Sequence, residues 1–362
     1  MKKSLLFFLS LALLLVIAAC GGSDEDSSSG SEGEENGEES SSESSSEDGE
    51  SSEASGESYE LEFGMQPNTQ ANEYKAAEFL ADYVEKESDG RLTVTIFPDA
   101  QLGNDLSMLG QLQDGTLDIT LAEMGRFGEW IPRAELLAMP YVIEDFDHIK
   151  NVVYNTEFGE ELRAELVEEH GMRVIDSAYN GTRVTSSNSP IEELADMEGM
   201  SLRVPEAQTL LDYAEYTGAN PTPMAFGEVY LALQTGQVDG QENPLPTIEA
   251  QSFHEVQDYI ALTNHVVNDN TYVVSEKTYQ DLPEDLRTIL EEGIDAATDH
   301  HTELFQTQED ELISFFEEEG VTITEPDLDE FREAVSEAYP SYYEDIGEDA
   351  EKYMEVIQGA AE

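Results

Sequence analysis

Apolar and polar side chains alternate over residues 59–65, the period of a half-buried strand. Over 72–88 the period lengthens: Tyr74, Ala77, Leu80, Ala81 and Val84 recur at helical spacing, and Gly90 ends the run. Residues 92–97 alternate again, 106–112 read as helix, Asp114-Gly115 as a turn, and 117–122 as a short apolar strand. That order predicts a sheet with parallel pairs covered by helices. A second unit of the same kind starts at 172–177. It continues through a helix at 191–196, a strand at 202–204, helices at 207–217 and 226–235, and the turn Val238-Asp239-Gly240. Two such units predict an α/β chain of two lobes, with ligand at the carboxyl ends of strands where the lobes meet. From Leu282-Pro283-Glu284 to Gly320, apolar residues such as Leu286, Leu290, Ile294, Phe305, Leu312 and Phe316 recur along one helical stretch. A continuous helix of that length spans about 55 Å at ~1.5 Å per residue, more than one lobe, so it is expected to brace both.

The start of the chain follows a different logic. Lys2 and Lys3 precede an apolar run over 5–19, too short for a membrane span of about 20 residues and shaped like a signal-peptide core. The run ends Val16-Ile17-Ala18-Ala19-Cys20, and Cys20 is the chain's only cysteine. Small residues directly before that cysteine resemble a bacterial lipobox, which implies lipidation of Cys20 and a membrane anchor. A single cysteine also excludes an intrachain disulfide and a Cys-based metal site. Residues 21–58 hold 15 Ser, 7 Gly and 14 acids with no base, so the segment lacks the apolar surface needed to offset its ordering entropy. Like charges extend it, and it reads as a tether.

Charge narrows the partners. The chain has 16 Lys+Arg against 81 Asp+Glu, a formal net charge of −65, which excludes nucleic-acid binding through phosphate contacts. Residues 59–362 retain 67 acids and 14 bases, spread along the chain and not grouped at metal-ligand spacings. The excess reads either as cation binding or, favoured by that spread, as a solvated surface suited to high salt, where at about 1 M the screening length shrinks to ~3 Å. In a chain so poor in bases, those kept inside apolar segments are informative: Arg126, Arg183 and Arg203.

Enzyme signatures are scarce. The sequence has no GxSxG, no Walker loop and no GxGxxG after a strand. None of the six histidines stands at metal spacing from Cys20 or a second histidine, and His300-His301 is expected on the surface of the acidic long helix. No cofactor is expected. Arg203, in Ser201-Leu202-Arg203-Val204-Pro205, sits at a strand end. It either faces solvent or is a buried guanidinium awaiting a carboxylate, a task its planar fork suits better than lysine. The asparagine of Gln241-Glu242-Asn243-Pro244 either caps a loop or presents its amide to a ligand.

The stretch 221–244, PTPMAFGEVYLALQTGQVDGQENP, resembles the substrate-binding proteins of TRAP transporters. LRVPEAQT at 202–209, QLGNDLSML at 101–109, AYNGTR at 178–183 and TNHVVND at 263–269 extend the likeness from Tyr59 past Leu328, nearest to the sialic-acid-binding members. The resemblance implies a periplasmic-binding-protein-like fold that closes on an organic acid, one lobe from 59–180 with 269–308 and the other from 181–268 with 309–362. It implies that Arg203 clamps the ligand carboxylate, that Arg183 and Asn243 lie beside it, and that Phe226 forms an aromatic wall. Asp105, Glu123 and Arg126 match polar residues on the sugar's hydroxyl and amide side. Gln66-Pro67 departs from the smaller polar pair of the sialic-acid binders, with Gln66 against the ligand. Sialic acid, a hexuronate or another sugar acid therefore fits the pattern. The implied partner is a membrane permease driven by an ion gradient. The alternatives are a binder of C4-dicarboxylates or other carboxylates, a sensor lipoprotein, and an exported sugar-acid enzyme using Asp105, Glu123 and Arg126 as an acid/base set.

Overall fold

The computed structural model describes residues 57–361; the expected leader, Cys20 and nearly all of the tether lie outside them. β1 (Tyr59–Gly64), α1 (Asn72–Glu87), β2 (Leu92–Phe97), α2 (Asp105–Asp114) and β3 (Ile119–Ala122) follow in the predicted order. α3 (Phe146–Asn155) and α4 (Glu157–His170) lead into β4 (Met172–Ser187). The second unit is β5 (Ser201–Val204), α5 (Gln208–Tyr216), β6 (Asn220–Pro223), α6 (Val229–Thr235), β7 (Gly240–Pro244) and α7 (Leu245–Ala250). β8 (Tyr259–Ser275), α8 (Glu276–Asp281), α9 (Glu284–Glu318), β9 (Thr322–Thr324), α10 (Leu328–Ser336), α11 (Tyr339–Ile346) and α12 (Ala350–Gly359) complete the chain.

All strands join one sheet in the order β2-β1-β3-β8-β4-β7-β5-β6, with β9 beside β8. The two units are its two wings. β1 pairs parallel with β2 and β3, and β5 pairs parallel with β6 and β7, as expected for crossovers through helices. Between the wings run β4 and β8, antiparallel and long enough to serve both. Residues 172–179 of β4 face 269–275 of β8 on the β3 side, and 183–187 face 259–266 beside β7. Their register shifts between Tyr179 and Thr182 and again between Arg183 and Thr185, at the passage from one wing to the other. A shift of this kind bends the strand and re-aims side chains. Gly181 makes the bend, with φ +85° and a position where a Cβ would lie 2.5 Å from the Pro244 Cβ.

α9 is one helix of 35 residues, about 52 Å long by its rise. Its first half buries Leu286, Leu290, Ile294 and Ala297 in the core of β1, β2 and α1. Its second half buries Leu312 and Phe316 with Val229, Leu233 and Ile248 of the other wing. The helix thus spans both wings, as its apolar spacing predicts.

Four expectations change. The segment 191–196 makes only a 3-10 turn, Leu194–Met197, which a capping box of Glu193 and Asp196 opens and which cannot continue past Gly199, whose φ of +78° leaves the helical region. The strand begun at 172 continues to Ser187 through a polar stretch, because Thr185, Ser186 and Ser187 are buried between neighbouring strands. His301 is fully buried, not exposed, and its ring stacks on Phe305. The C-terminal segment, assigned whole to the second lobe, divides. Phe331 and Val335 of α10 pack with Leu210 and Tyr213, while Tyr342, Met354 and Ile357 of α11 and α12 join Phe158, Leu162 and Leu166 on the first wing. His148 and Asn151 of α3 hold the carbonyls of Ile357 and Ala360, which fastens α12 there.

Candidate functional site

Five strand ends converge on one cavity. Gln66 follows β1, Glu123 and Arg126 follow β3, Arg203 is the next-to-last residue of β5, Phe226 follows β6, and Asn243 lies near the end of β7. Asp105, the first residue of α2, and Arg183, on β4 at the passage between the wings, complete the set. The structure brings all eight sequence-selected residues of the folded part to this wall. Asn104 caps α2 by accepting a hydrogen bond from the Ser107 amide at 2.9 Å, which fixes where the helix starts and hence where Asp105 points.

The three arginines differ in how they are satisfied. Arg126 pairs with Asp105 and donates from Nη1 to the Glu206 carbonyl at 2.6 Å, a bond that joins the two wings across the cavity. Arg183 spends its fork inside the protein. Its Nε and Nη2 take both oxygens of Glu242, the latter at 2.8 Å, and Nη1 donates to Asn268 at 3.1 Å and Glu123 at 3.3 Å. Burial by itself would raise the Glu242 carboxyl, but the Arg183 guanidinium outweighs it and holds the group down at about 2. His265 donates from Nε2 to the same carboxylate at 3.1 Å, and its ring stacks on Tyr213 with ring centres 3.8 Å apart. Burial lowers the His265 pKa, partly countered by Glu242, and keeps the ring neutral.

Arg203 is different. Its side chain is buried at 2% exposure, and its Nε and Nη2 donate only to the Met224 carbonyl, at 3.1 and 2.6 Å. Among the described residues it forms no ion pair. Burial lowers its pKa to about 10, and the attraction of Glu242 offsets that only in part. The cavity therefore contains two internally matched cations and one unmatched one. An unpaired buried charge costs several kcal/mol, which an incoming anion relieves.

Amides and carboxyls dominate the rest of the wall: Asn180, Asn243, Asn268, Asn270, Glu73 and Glu123. Burial raises Glu123, opposed by Arg183 and Arg126. Asn180 is oriented from behind, since its Oδ1 lies 3.1 Å from Nε2 of the buried His301. Burial lowers the His301 pKa to about 3, so the ring is neutral and its Nε2 is free to donate while the Tyr272 hydroxyl lies 3.5 Å from Nδ1. With its oxygen so engaged, the Asn180 amide nitrogen is left for the cavity. Asn243 binds the Gln241 side chain through Nδ2 at 2.6 Å and receives Arg183 at 3.4 Å, so it is a buried strand residue and not a loop cap.

Sequence reasoning missed Glu242, His265, Asn180 and Glu73 as site residues. The first three stood inside motifs already singled out, QENP, TNHVVND and AYNGTR. The signal was masked because acids are so abundant that a buried one looks like any other. The predicted acid/base set is present in place, but Asp105 and Arg126 are paired with each other and Glu123 with Arg183.

Comparisons with known proteins agree with this geometry. Residues 63–345 match the family described as bacterial extracellular solute-binding protein, family 7. The sialic acid-binding periplasmic protein SiaP of Vibrio cholerae is 48% identical over 288 residues, covering 80% of this chain and 89% of that protein. A TRAP periplasmic solute binding protein of Roseobacter denitrificans, solved with bound L-galactonate, superposes with a TM-score of 0.76 at 31% identity, covering 83% of this chain and 99% of that one. Another from the same species, solved with bound 3-deoxy-D-manno-oct-2-ulosonic acid, gives a TM-score of 0.78 at 30% identity, covering 84% of this chain and 100% of that one. With the family match, the strand-end cavity and the bracing helix together, the chain belongs to the family-7 extracellular solute-binding proteins and carries the extracytoplasmic binding role of a TRAP transporter.

Proposed function

We propose that the cavity captures a sugar acid of the sialic acid, hexuronate or aldonate class, with its carboxylate on Arg203, and that the loaded protein delivers it to a membrane permease. The observation that carries the reading is the unmatched guanidinium of Arg203, buried on a wall that also carries several hydroxyl-seeking amides and carboxyls. The sialic acid-binding relative and the neighbours with bound sugar acids support the ligand class. Phe226, half-buried beside Phe253, offers an apolar face for the ring or chain of such a ligand. Gln66, Asn243, Asp105, Glu123 and Arg126 supply polar contacts, and Arg183 acts mainly by holding Glu242 and Asn268 in place. The pairing of Asp105, Glu123 and Arg126 supports binding without catalysis.

The two wings of the sheet are the two lobes in this reading. They are 59–180 with 269–308 and 181–268 with 309–336, which ends with α10, and they hinge through 179–183 of β4 and 266–269 of β8. The Arg126 bond to Glu206 and the Asn68 bond to the Ala250 carbonyl at 2.9 Å cross from one to the other and suit a closed state. A ligand shifts the protein toward that state only by its differential affinity for it. Lipidation at Cys20 and a tether over 21–58 would hold the domain near the permease.

The test is titration calorimetry of residues 57–362 in high salt with N-acetylneuraminate, glucuronate, galacturonate, L-galactonate and small dicarboxylates. The expected result is binding of one or more sugar acids and weaker or absent binding of the dicarboxylates. No heat from any carboxylate sinks the capture reading, and succinate alone as a ligand replaces it with the dicarboxylate one.

A further inference from the structure

Glu73 is the first acidic residue of α1, it lines the cavity, and it is 5% exposed. Among the described residues no ion pair includes it, and the hydrogen bond that reaches its carboxyl is from its own backbone amide. The nearest base, Lys75 on the same helix, is exposed and its ammonium is engaged by the Asn72 side chain at 2.9 Å. From β8 the group that faces Glu73 is the Tyr272 phenol, and from α9 it is His301, behind that phenol. On the cavity wall stand the Arg126–Asp105 pair, Glu123, Arg183 with its partner Glu242 buried behind it, and the unmatched Arg203.

An ionised Glu73 would put an uncompensated negative charge on the wall of a site that takes an anion. A protonated Glu73 carries an O–H donor whose acceptor must come from the cavity. Burial raises its pKa to about 7, against the pull of the helix N-terminus amide and Lys75, so both forms are accessible near neutrality.

We propose that Glu73 is a specificity-determining residue of the binding cavity, which in its protonated form donates a hydrogen bond to a hydroxyl or carbonyl oxygen of the bound sugar acid. The inference rests on the sugar-acid reading above. The ligand selects the protonated form, so binding above neutrality takes up a proton, and affinity falls as pH rises. The ligand's own carboxyl, ordinarily titrating near 4, does not change in this range.

The experiment is titration calorimetry of the folded chain with N-acetylneuraminate and L-galactonate between pH 6 and 8.5, each in two buffers of different ionisation heat, on the unaltered protein and on Glu73→Gln. The amide of the variant keeps an N–H donor and cannot ionise. In the unaltered protein, affinity is expected to fall about tenfold per pH unit above the midpoint, with close to one proton taken up at pH 8. Glu73→Gln is expected to lose that slope and that uptake. Asp269 and Glu135, which burial also raises to about 7, are the same in both proteins, so the difference isolates Glu73. Equal slopes and equal proton counts overturn the proposal, as does proton-neutral binding by the unaltered protein at pH 8. If Glu73→Gln fails to fold by circular dichroism, Glu73→Asp decides. A shorter acid must shift the midpoint, and an unmoved midpoint overturns the assignment. Absence of any binding at every pH is a different failure, one that removes the sugar-acid reading itself and this inference with it.

Discussion

Two guanidiniums a few residues of sheet apart do different work because their partners differ. Arg183 is saturated by Glu242, Asn268 and Glu123, so its charge is matched before any ligand arrives. Among the described residues Arg203 has only the Met224 carbonyl. Arg203→Lys keeps the charge and removes the fork, and a lysine cannot both hold that carbonyl and chelate a carboxylate. Affinity for the best sugar acid is expected to fall roughly 10- to 100-fold, the worth of about 1.5–3 kcal/mol for a charge-assisted bond. Calorimetry on the variant checks this, and an unchanged affinity would mean that bidentate geometry is not the source of recognition. Both arginines were legible as candidates in a base-poor sequence. Which one is free was not, since that depends on Glu242, an acid that resembles its many neighbours until β7 is seen fully buried beside β4.

At the scale of the element, the long strands β4 and β8 and the helix α9 decide how the two wings communicate. The period of apolar residues along 282–320 was enough to read α9, because a helix buries one stripe along its whole length. β4 and β8 were read only in part. Their central stretches are polar, and period-two alternation fails where both faces are covered and the register shifts. Gly181 sits at that shift, with a positive φ and the Pro244 ring against its α-carbon. Gly181→Ala is expected to destabilise the fold by about 1–3 kcal/mol through backbone strain and contact with Pro244. Denaturant unfolding followed by circular dichroism measures it. A loss below a few tenths of a kcal/mol would show that the passage adapts freely.

For the whole molecule, the excess of 67 acids over 14 bases in residues 59–362 makes self-repulsion a standing cost to the folded state. Salt that shortens the screening length from about 10 Å at 0.1 M to ~3 Å at 1 M should relieve it. The melting temperature is expected to rise by several degrees over that range, in sodium chloride and in potassium chloride alike. Calorimetric scans test it, and a flat response would mean that the acids are already balanced by local contacts. The alternating and helical periods determined the two α/β units and the bracing helix, because each records which side chains must leave water along a single element. The composition determined that few cations remained to recognise an anion. Only the tertiary structure decided that five strand ends meet at one cavity, that α11 and α12 return to the first wing, that His301 is buried behind Asn180, and that Arg203 alone of the three arginines is left without a carboxylate. Each of these depends on contacts between residues far apart in the chain, and no local period carries that information.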